Sequence, residues 1–161
     1  MLVIGIDPGK TGALAVIKHE PKEVPMVYAV YDTPLFDGNY DIFEMYRLVS
    51  NFIGLTTAHF IIEKVHSMPG QGVASMFNFG MGYGIWQGII ASTGCPLTYV
   101  APQTWKKALM EGMKEKDDAR LRVKELFPKA CDLVYRKKDT GRADAILIAE
   151  YGRRQLYGTQ I

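Results

Sequence analysis

Three carboxylates at the ends of apolar segments are the residues of this sequence best placed to do chemistry. Asp7 closes the run Val3-Ile4-Gly5-Ile6 and opens the turn Pro8-Gly9-Lys10-Thr11-Gly12. Glu63 closes Ala58-His59-Phe60-Ile61-Ile62, and Asp144 lies in the first turn of a late helical stretch, with Asp139 just ahead of it. If the first and fourth strands are neighbours, their C-terminal ends bring Asp7 and Glu63 together. Converging carboxylates repel, and they stay ionised together only beside a cation. A hard divalent ion with oxygen ligands, Mg²⁺ above all, is the natural partner. Two such ions about 4 Å apart activate a water and stabilise a leaving oxygen in phosphodiester hydrolysis, so no Ser, Cys or His nucleophile is required. The competing reading makes Asp7 a turn former, its side chain bonded to nearby backbone amides. Each acid taken singly also reads as structural.

The elements that must position these acids follow from periodicity. Residues 3–7 and 13–18 read as a hairpin around the Gly-rich turn, and Pro25–Tyr31 as a third strand. Asp41 caps a helix over 42–54 with Ile42, Met45, Tyr46, Val49 and Phe52 on one side. Ala58–Val65 reads as a buried strand, followed by a polar loop from His66 to Gly72. Residues 73–91 read as helical despite Gly80, Gly82, Gly84 and Gly88, which lower helix propensity and permit close packing on the sheet or on a partner subunit. A fifth strand at Leu97–Val100 ends at Pro102. Helices are expected over 103–112, over 116–126 with Leu121 and Leu126 on the apolar side, and from Arg142 to Arg153. Meandering strands followed by alternating helices and strands make an α/β sheet with helices on its faces.

The 161 residues suffice for one domain with a real core. Composition is that of a soluble globular protein, no apolar run approaches the roughly 20 residues of a membrane helix, and no basic leader precedes the first apolar run. Cys95 and Cys131 form neither a metal-ligand pattern nor a disulfide framework, so a reducing cytoplasm is expected. The net charge of +2 is unevenly spread. Residues 1–105 hold five Lys/Arg against eight Asp/Glu, and the remainder fourteen against nine. A basic C-terminal third fits a polyanion partner, and equally an ordinary solvated surface.

The ordered set Gly5-Ile6-Asp7-Pro8-Gly9 with Thr11-Gly12, Ile61-Ile62-Glu63-Lys64-Val65, and Arg142-Ala143-Asp144-Ala145 resembles the RuvC family of Holliday junction resolvases, and more closely its phage-type members. The stretch from Tyr99 to Lys106 also looks like the family's segment after its fifth strand. The resemblance runs from residue 3 to about 155. It implies an RNase H-like fold with a five-stranded mixed sheet and helices on both faces. It also implies a homodimer, and Mg²⁺-dependent nicking of branched DNA with two ions per active site, for which Mn²⁺ substitutes. The family's metal ligands carry over to Asp7, Glu63 and Asp144. Where bacterial members place their fourth ligand stands Gly141, and Asp139 is the nearest candidate, displaced by Thr140; its alternative role is helix capping.

Where bacterial members carry a Phe wedge, this sequence has His66, with Met68 as the neighbouring wedge candidate. Lys106 and Lys116 roughly match family lysines near the scissile phosphate and the DNA backbone, where a point charge stabilises phosphorane-like charge. Lys107 and Arg142 read as backbone contacts, which position DNA without specifying sequence. A loop surface for His66 and a solvated helix surface for the lysines are the bland readings. Trp86 and Trp105 read as core or dimer interface.

The expectation is a dimeric, cytoplasmic (host-cytoplasmic if phage-encoded), metal-dependent endonuclease without membrane attachment. It would resolve four-way junctions, with forks and flaps as the wider substrate reading, by paired nicks that leave a 5′-phosphate and a 3′-hydroxyl. The alternative is a non-catalytic branched-DNA-binding protein of the same fold. A sugar-kinase or actin-like phosphotransferase also opens with a strand, an Asp and a Gly-rich turn, but needs two such halves.

Overall fold

Small residues on one face of the first hairpin and large ones on the other decide where the helices pack. The computed structural model describes residues 1–54, 57–64, 70, 72–112 and 118–158. Strands β1 (Leu2–Asp7), β2 (Ala13–Lys18) and β3 (Met26–Asp32) form an antiparallel meander. A two-stranded hairpin follows, β4 (Leu35–Phe36) and β5 (Asn39–Tyr40), then helix α1 (Ile42–Ser50). Strand β6 (Ala58–Glu63) leads to the long helix α2 (Val73–Thr93), and β7 (Leu97–Val100) to α3 (Pro102–Leu109). The chain ends in α4 (Asp118–Leu126), a 3-10 helix over Pro128–Val134, and α5 (Thr140–Tyr157). The main sheet has the order β3-β2-β1-β6-β7, with β6 parallel to both β1 and β7.

The central strands β1, β2 and β6 bury both faces, so the core splits in two. Val3, Ala13, Ala15, Ile17 and Ile61 face α3, α4 and α5. Ile4, Ile6, Leu14, Val16, Phe60 and Ile62 face α1 and α2. The first face is kept low because α5 lies directly on it. A β-carbon at Gly5 would collide with the Ala145 carbonyl and the Ala149 amide, and one at Gly152 would collide with Ile61. Helix α5 is buried almost all round, with Ala143 and every residue from Ala145 to Ala149 sealed from solvent.

The sheet, its mixed direction and helices on both faces match the sequence expectation. Several element readings are corrected. Helix α1 ends at Ser50 rather than 54 and buries Met45, Leu48 and Val49, while Ile42 and Tyr46 are exposed. In α4 the buried side is Ala119 and Val123, and Leu121 faces solvent. Helix α5 begins two residues earlier and ends four later than expected. The β4–β5 hairpin and the 3-10 helix were not anticipated. Trp86 and Trp105 are both completely buried. Val65, His66, Met68 and Lys116 lie outside the described residues. Among the described residues no helix is long and apolar enough to cross a membrane.

Overpacking a site with backbone on the far side forces whole elements apart, at a cost of about 3 kcal/mol. Gly5→Ala is therefore expected to lower the free energy of urea unfolding by about that amount. A wild-type midpoint would show that α5 does not rest on the β1 backbone.

Candidate active site

The parallel pairing of β1 with β6 closes with Ile6 opposite Ile62, so Asp7 and Glu63 emerge side by side at the C-terminal ends of two central strands. Beyond Asp7 the chain folds back tightly. The Gly12 amide donates to the Gly9 carbonyl at 2.9 Å, and a β-carbon at Gly12 would strike the Asp7 carbonyl oxygen. Helix α5 reaches this turn through Gly141, where a β-carbon would strike the Thr11 carbonyl oxygen. Residues three apart share a helix face. That contact therefore delivers Asp144, one turn later, to the same place.

Electrostatics register the convergence. The Asp7 carboxyl is pushed up to about 7, first by burial and then by the charges of Asp144 and Glu63. The Gly9 amide, 3.4 Å from Asp7 Oδ1, and the Lys106 ammonium act in the opposite direction. The turn-former bond is thus present but long, and it does not offset the two neighbouring carboxylates.

Helix α3 contributes two adjacent residues to the site. Trp105 is buried and its Nε1 donates to Glu63 Oε2 at 2.6 Å. Lys106 is exposed, with Nζ 5.2 Å from the centre of the Trp105 ring. Beside Asp7 opens a cleft of about 620 Å³, with Gly9 and Thr11 on one side and Tyr40, Ser75 and Asn78 on the other. Tyr40 is held there by donating to the Asn78 carbonyl at 3.0 Å, and it fits because α2 has Gly82 at that point. Burial and then the Asp7 charge raise the Tyr40 phenol above its ordinary value. Tyr40 and the Glu63-holding role of Trp105 were not singled out from the sequence. A signal for Trp105 existed: it lies just after β7, which pairs with β6 up to Glu63–Val100.

The donor chemistry suits a hard divalent cation, with three carboxylates acting at one point and oxygen as the only ligand atom. Among the described residues, however, no three Asp, Glu, His or Cys side chains stand in an arrangement ready to hold one ion. One Glu63 oxygen is directed to Trp105 instead.

The remaining expected site residues divide. Asp139 is 3% exposed and its carboxylate is turned onto Arg136. It accepts from Arg136 Nη2 at 2.7 Å, from Nε at 3.0 Å and from the Arg136 amide at 2.7 Å. Burial alone would raise its carboxyl, but these bonds and the guanidinium charge hold it below the usual range. The carboxylates acting on Asp7 are Asp144 and Glu63, and Asp139 is not one of them. Arg142 is likewise committed, its Nε and Nη2 donating to the two Asp32 oxygens at 2.6 and 2.7 Å. Lys107 is exposed on α3.

Two outcomes follow from these contacts. In the folded chain Asp7 keeps its proton up to about pH 7, whereas the unfolded chain loses it in the ordinary carboxylate range. Asp7 therefore costs stability increasingly as pH rises through that window, and nothing below it. In EDTA, Asp7→Asn should raise Tm at pH 8 and leave it nearly unchanged at pH 4. Added Mn²⁺ should raise Tm at pH 8 for the wild type only. Equal shifts of the variant at both pH values would contradict the placement. For the Arg136–Asp139 pair, Arg136→Ala should cost about 2 kcal/mol in urea unfolding because it strands the buried Asp139 charge, Asp139→Ala should cost less because the half-exposed Arg136 regains water, and the double variant should cost less than the sum.

No family model matches the chain. A chloroplastic Holliday junction resolvase of Chlamydomonas reinhardtii, MOC1, is 32% identical over 91 residues, which is 56% of this chain and 10% of that protein. The aligned part thus spans only a tenth of the curated relative. Among solved structures, Thermus thermophilus RuvC superposes with a TM-score of 0.71 at 21% identity, covering 99% of this chain and 98% of the other. The same protein in complex with a Holliday junction substrate gives 0.68 at 17% identity, with 98% of both chains covered. The chain has the RuvC-type, RNase H-like fold.

Proposed function

We propose that this chain is a divalent-metal-dependent endonuclease that resolves Holliday junctions, and also acts on forks and flaps, by paired nicks. One observation carries the reading: Asp144 and Glu63 both bear on Asp7 at the ends of two parallel strands, beside an open cleft. Support comes from the named activity of the chloroplastic relative and from the junction-bound RuvC of the same fold.

Asp7, Glu63 and Asp144 would hold Mg²⁺, or Mn²⁺ in its place, as a pair of ions in each site. When bound, such ions make water a competent nucleophile near neutral pH and offset charge on the phosphodiester. Asp7, on which both other carboxylates act, would be the central ligand of the set. Trp105 sets the direction of Glu63 through its indole N–H. Lys106, whose charge already acts on Asp7, would meet the developing negative charge of the phosphate. Lys107 beside it would contact the DNA backbone, as would Lys116, with His66 and Met68 at the branch point. Gly12 lets the turn fold back onto Asp7, and Gly9, beside the Asp7 carboxylate, would leave room for a phosphate to approach it. Asp139 and Arg142 take positioning roles, fixing the start of α5 through Arg136 and Asp32. Proton and cation compete for Asp7, so the Mg²⁺ concentration needed for half-maximal cleavage should fall as pH rises toward about 7.

Residues 1–161 would act as one nuclease domain in a homodimer, because a junction presents two strands for symmetric cutting. The outer side of α2 suits that contact: Val73 and Phe77 are exposed, and Gly80, Gly84 and Gly88 have open space beside them. The free thiols of Cys95 and Cys131 fit a reducing, cytoplasmic setting.

The test is a cleavage panel of labelled four-way junction, Y-fork and plain duplex with Mg²⁺ or Mn²⁺. Wild-type protein should cut the branched substrates and spare the duplex. Asp7→Asn should lose metal-dependent cutting while still retarding the junction in a gel. Cutting undiminished in Asp7→Asn would remove the ligand assignment. Equal cutting of duplex would remove the structure selectivity, and binding without cutting by the wild type would leave the non-catalytic DNA-binding reading.

A further inference from the structure

A second concavity, of about 550 Å³, lies beside the cleft and shares Tyr40 with it. Its walls are the β4–β5 hairpin and the start of α1. Phe36 is 76% exposed, Phe43 86% and Ile42 53%. Large apolar side chains gathered at one exposed concavity mark a binding surface. The hairpin that carries Phe36 is built to stay in place. Asp37 and Gly38, both at positive φ, make a two-residue turn whose hand matches the strand twist. The catalytic turn holds this hairpin: Lys10 Nζ donates to the Gly38 carbonyl at 2.7 Å, and Thr33 Oγ1 to the Gly9 carbonyl at 2.9 Å. Tyr40 pins the other strand to α2.

We propose that Phe36 and Phe43 form a stacking platform for bases unpaired at the branch point, next to the phosphate that is cut. The proposal rests on the branched-DNA reading above. Chemistry selects the occupant. No lining residue is basic, and Asp37 and Asp41 repel phosphate, so the surface suits base faces rather than backbone. Aromatic rings stack on any base without regard to sequence. Asn39, on the same wall, donates its Nδ2 to the Asp37 carbonyl at 3.2 Å, which holds its side-chain oxygen as an acceptor for a base edge. Continuity through Tyr40 with the Asp7 cleft makes the platform part of the same track. A second copy of the chain is the less suited occupant, since the glycine-lined side of α2 offers it closer contact.

The experiment compares wild type with Phe36→Ala/Phe43→Ala and Phe36→Tyr/Phe43→Tyr in EDTA, where no cutting competes. The probes are a four-way junction carrying 2-aminopurine at the branch point and a duplex of equal length. Circular dichroism and light scattering check fold and oligomeric state. The wild type should bind the junction more tightly than the duplex and change the 2-aminopurine fluorescence. The Ala pair should lose about tenfold or more of junction affinity and most of the fluorescence change, with duplex binding kept; the Tyr pair should retain both. Wild-type junction affinity and fluorescence in the Ala pair, or a change of oligomeric state in it, would overturn the platform while leaving the nuclease reading intact. A wild type that binds junction and duplex equally would overturn the branched-DNA reading and the platform with it.

Discussion

The contact between α5 and β1 is the constraint on which the site depends. It has no side-chain spacer: Gly5 faces the backbone at Ala145 and Ala149, and Gly141 faces the Thr11 carbonyl. A helix seated this closely cannot rotate or slide without lifting from the sheet, because interiors packed at solid density do not deform smoothly. Asp144 rides on that helix and Asp7 on that strand, so their separation is fixed by backbone contact rather than by flexible side chains. Glu63 follows from the parallel pairing of β6 with the same strand. The small residues Ala13 and Ala15 on β2 extend the low surface and let α5 cross two strands.

Such closeness is costly for the carboxylates, and the fold surrounds them with opposing features. Burial and like charge act against ionised Asp7, while the Gly9 amide and Lys106 favour it. Trp105 takes one oxygen of Glu63. Around the start of α5, Arg136 holds Asp139 and Asp32 holds Arg142, two ion pairs on either side of Gly141. These pairs anchor the end of the helix that would otherwise fray, one turn before Asp144. The arrangement stores an unfavourable charge cluster on a rigid support, a pattern expected where a site is preorganised for a cation.

Much of this was legible in the sequence where long-range order has a local signature. Apolar runs ended by Asp7 and Glu63 announce buried strands with acids at their tips, and the meander before the crossover makes those strands neighbours. The β4–β5 hairpin was not read because each strand is two residues long, too short for alternation to register, although Asp37-Gly38 is a strong turn signal. Leu121 was placed on the apolar side of its helix by spacing alone, yet tertiary packing turned Ala119 and Val123 inward. Asp139 was read from its place before the last helix. Its partner, Arg136, is only three residues away, but the turn that folds one onto the other has no periodic signature.

Charge counting from the sequence is sharpened in the same way. The basic C-terminal third suggests a broad cationic surface, yet its arginines are largely committed to the protein itself. Arg122 pairs with Glu125, Arg136 with Asp139, Arg142 with Asp32, and both Arg153 and Arg154 with Glu150. A guanidinium held in a two-toothed pair offers little to a phosphate unless its partner is displaced. The positive charge that acts on Asp7 comes instead from Lys106 on α3, set over the Trp105 ring. The placement of single lysines, not net charge, therefore decides what field the carboxylates feel.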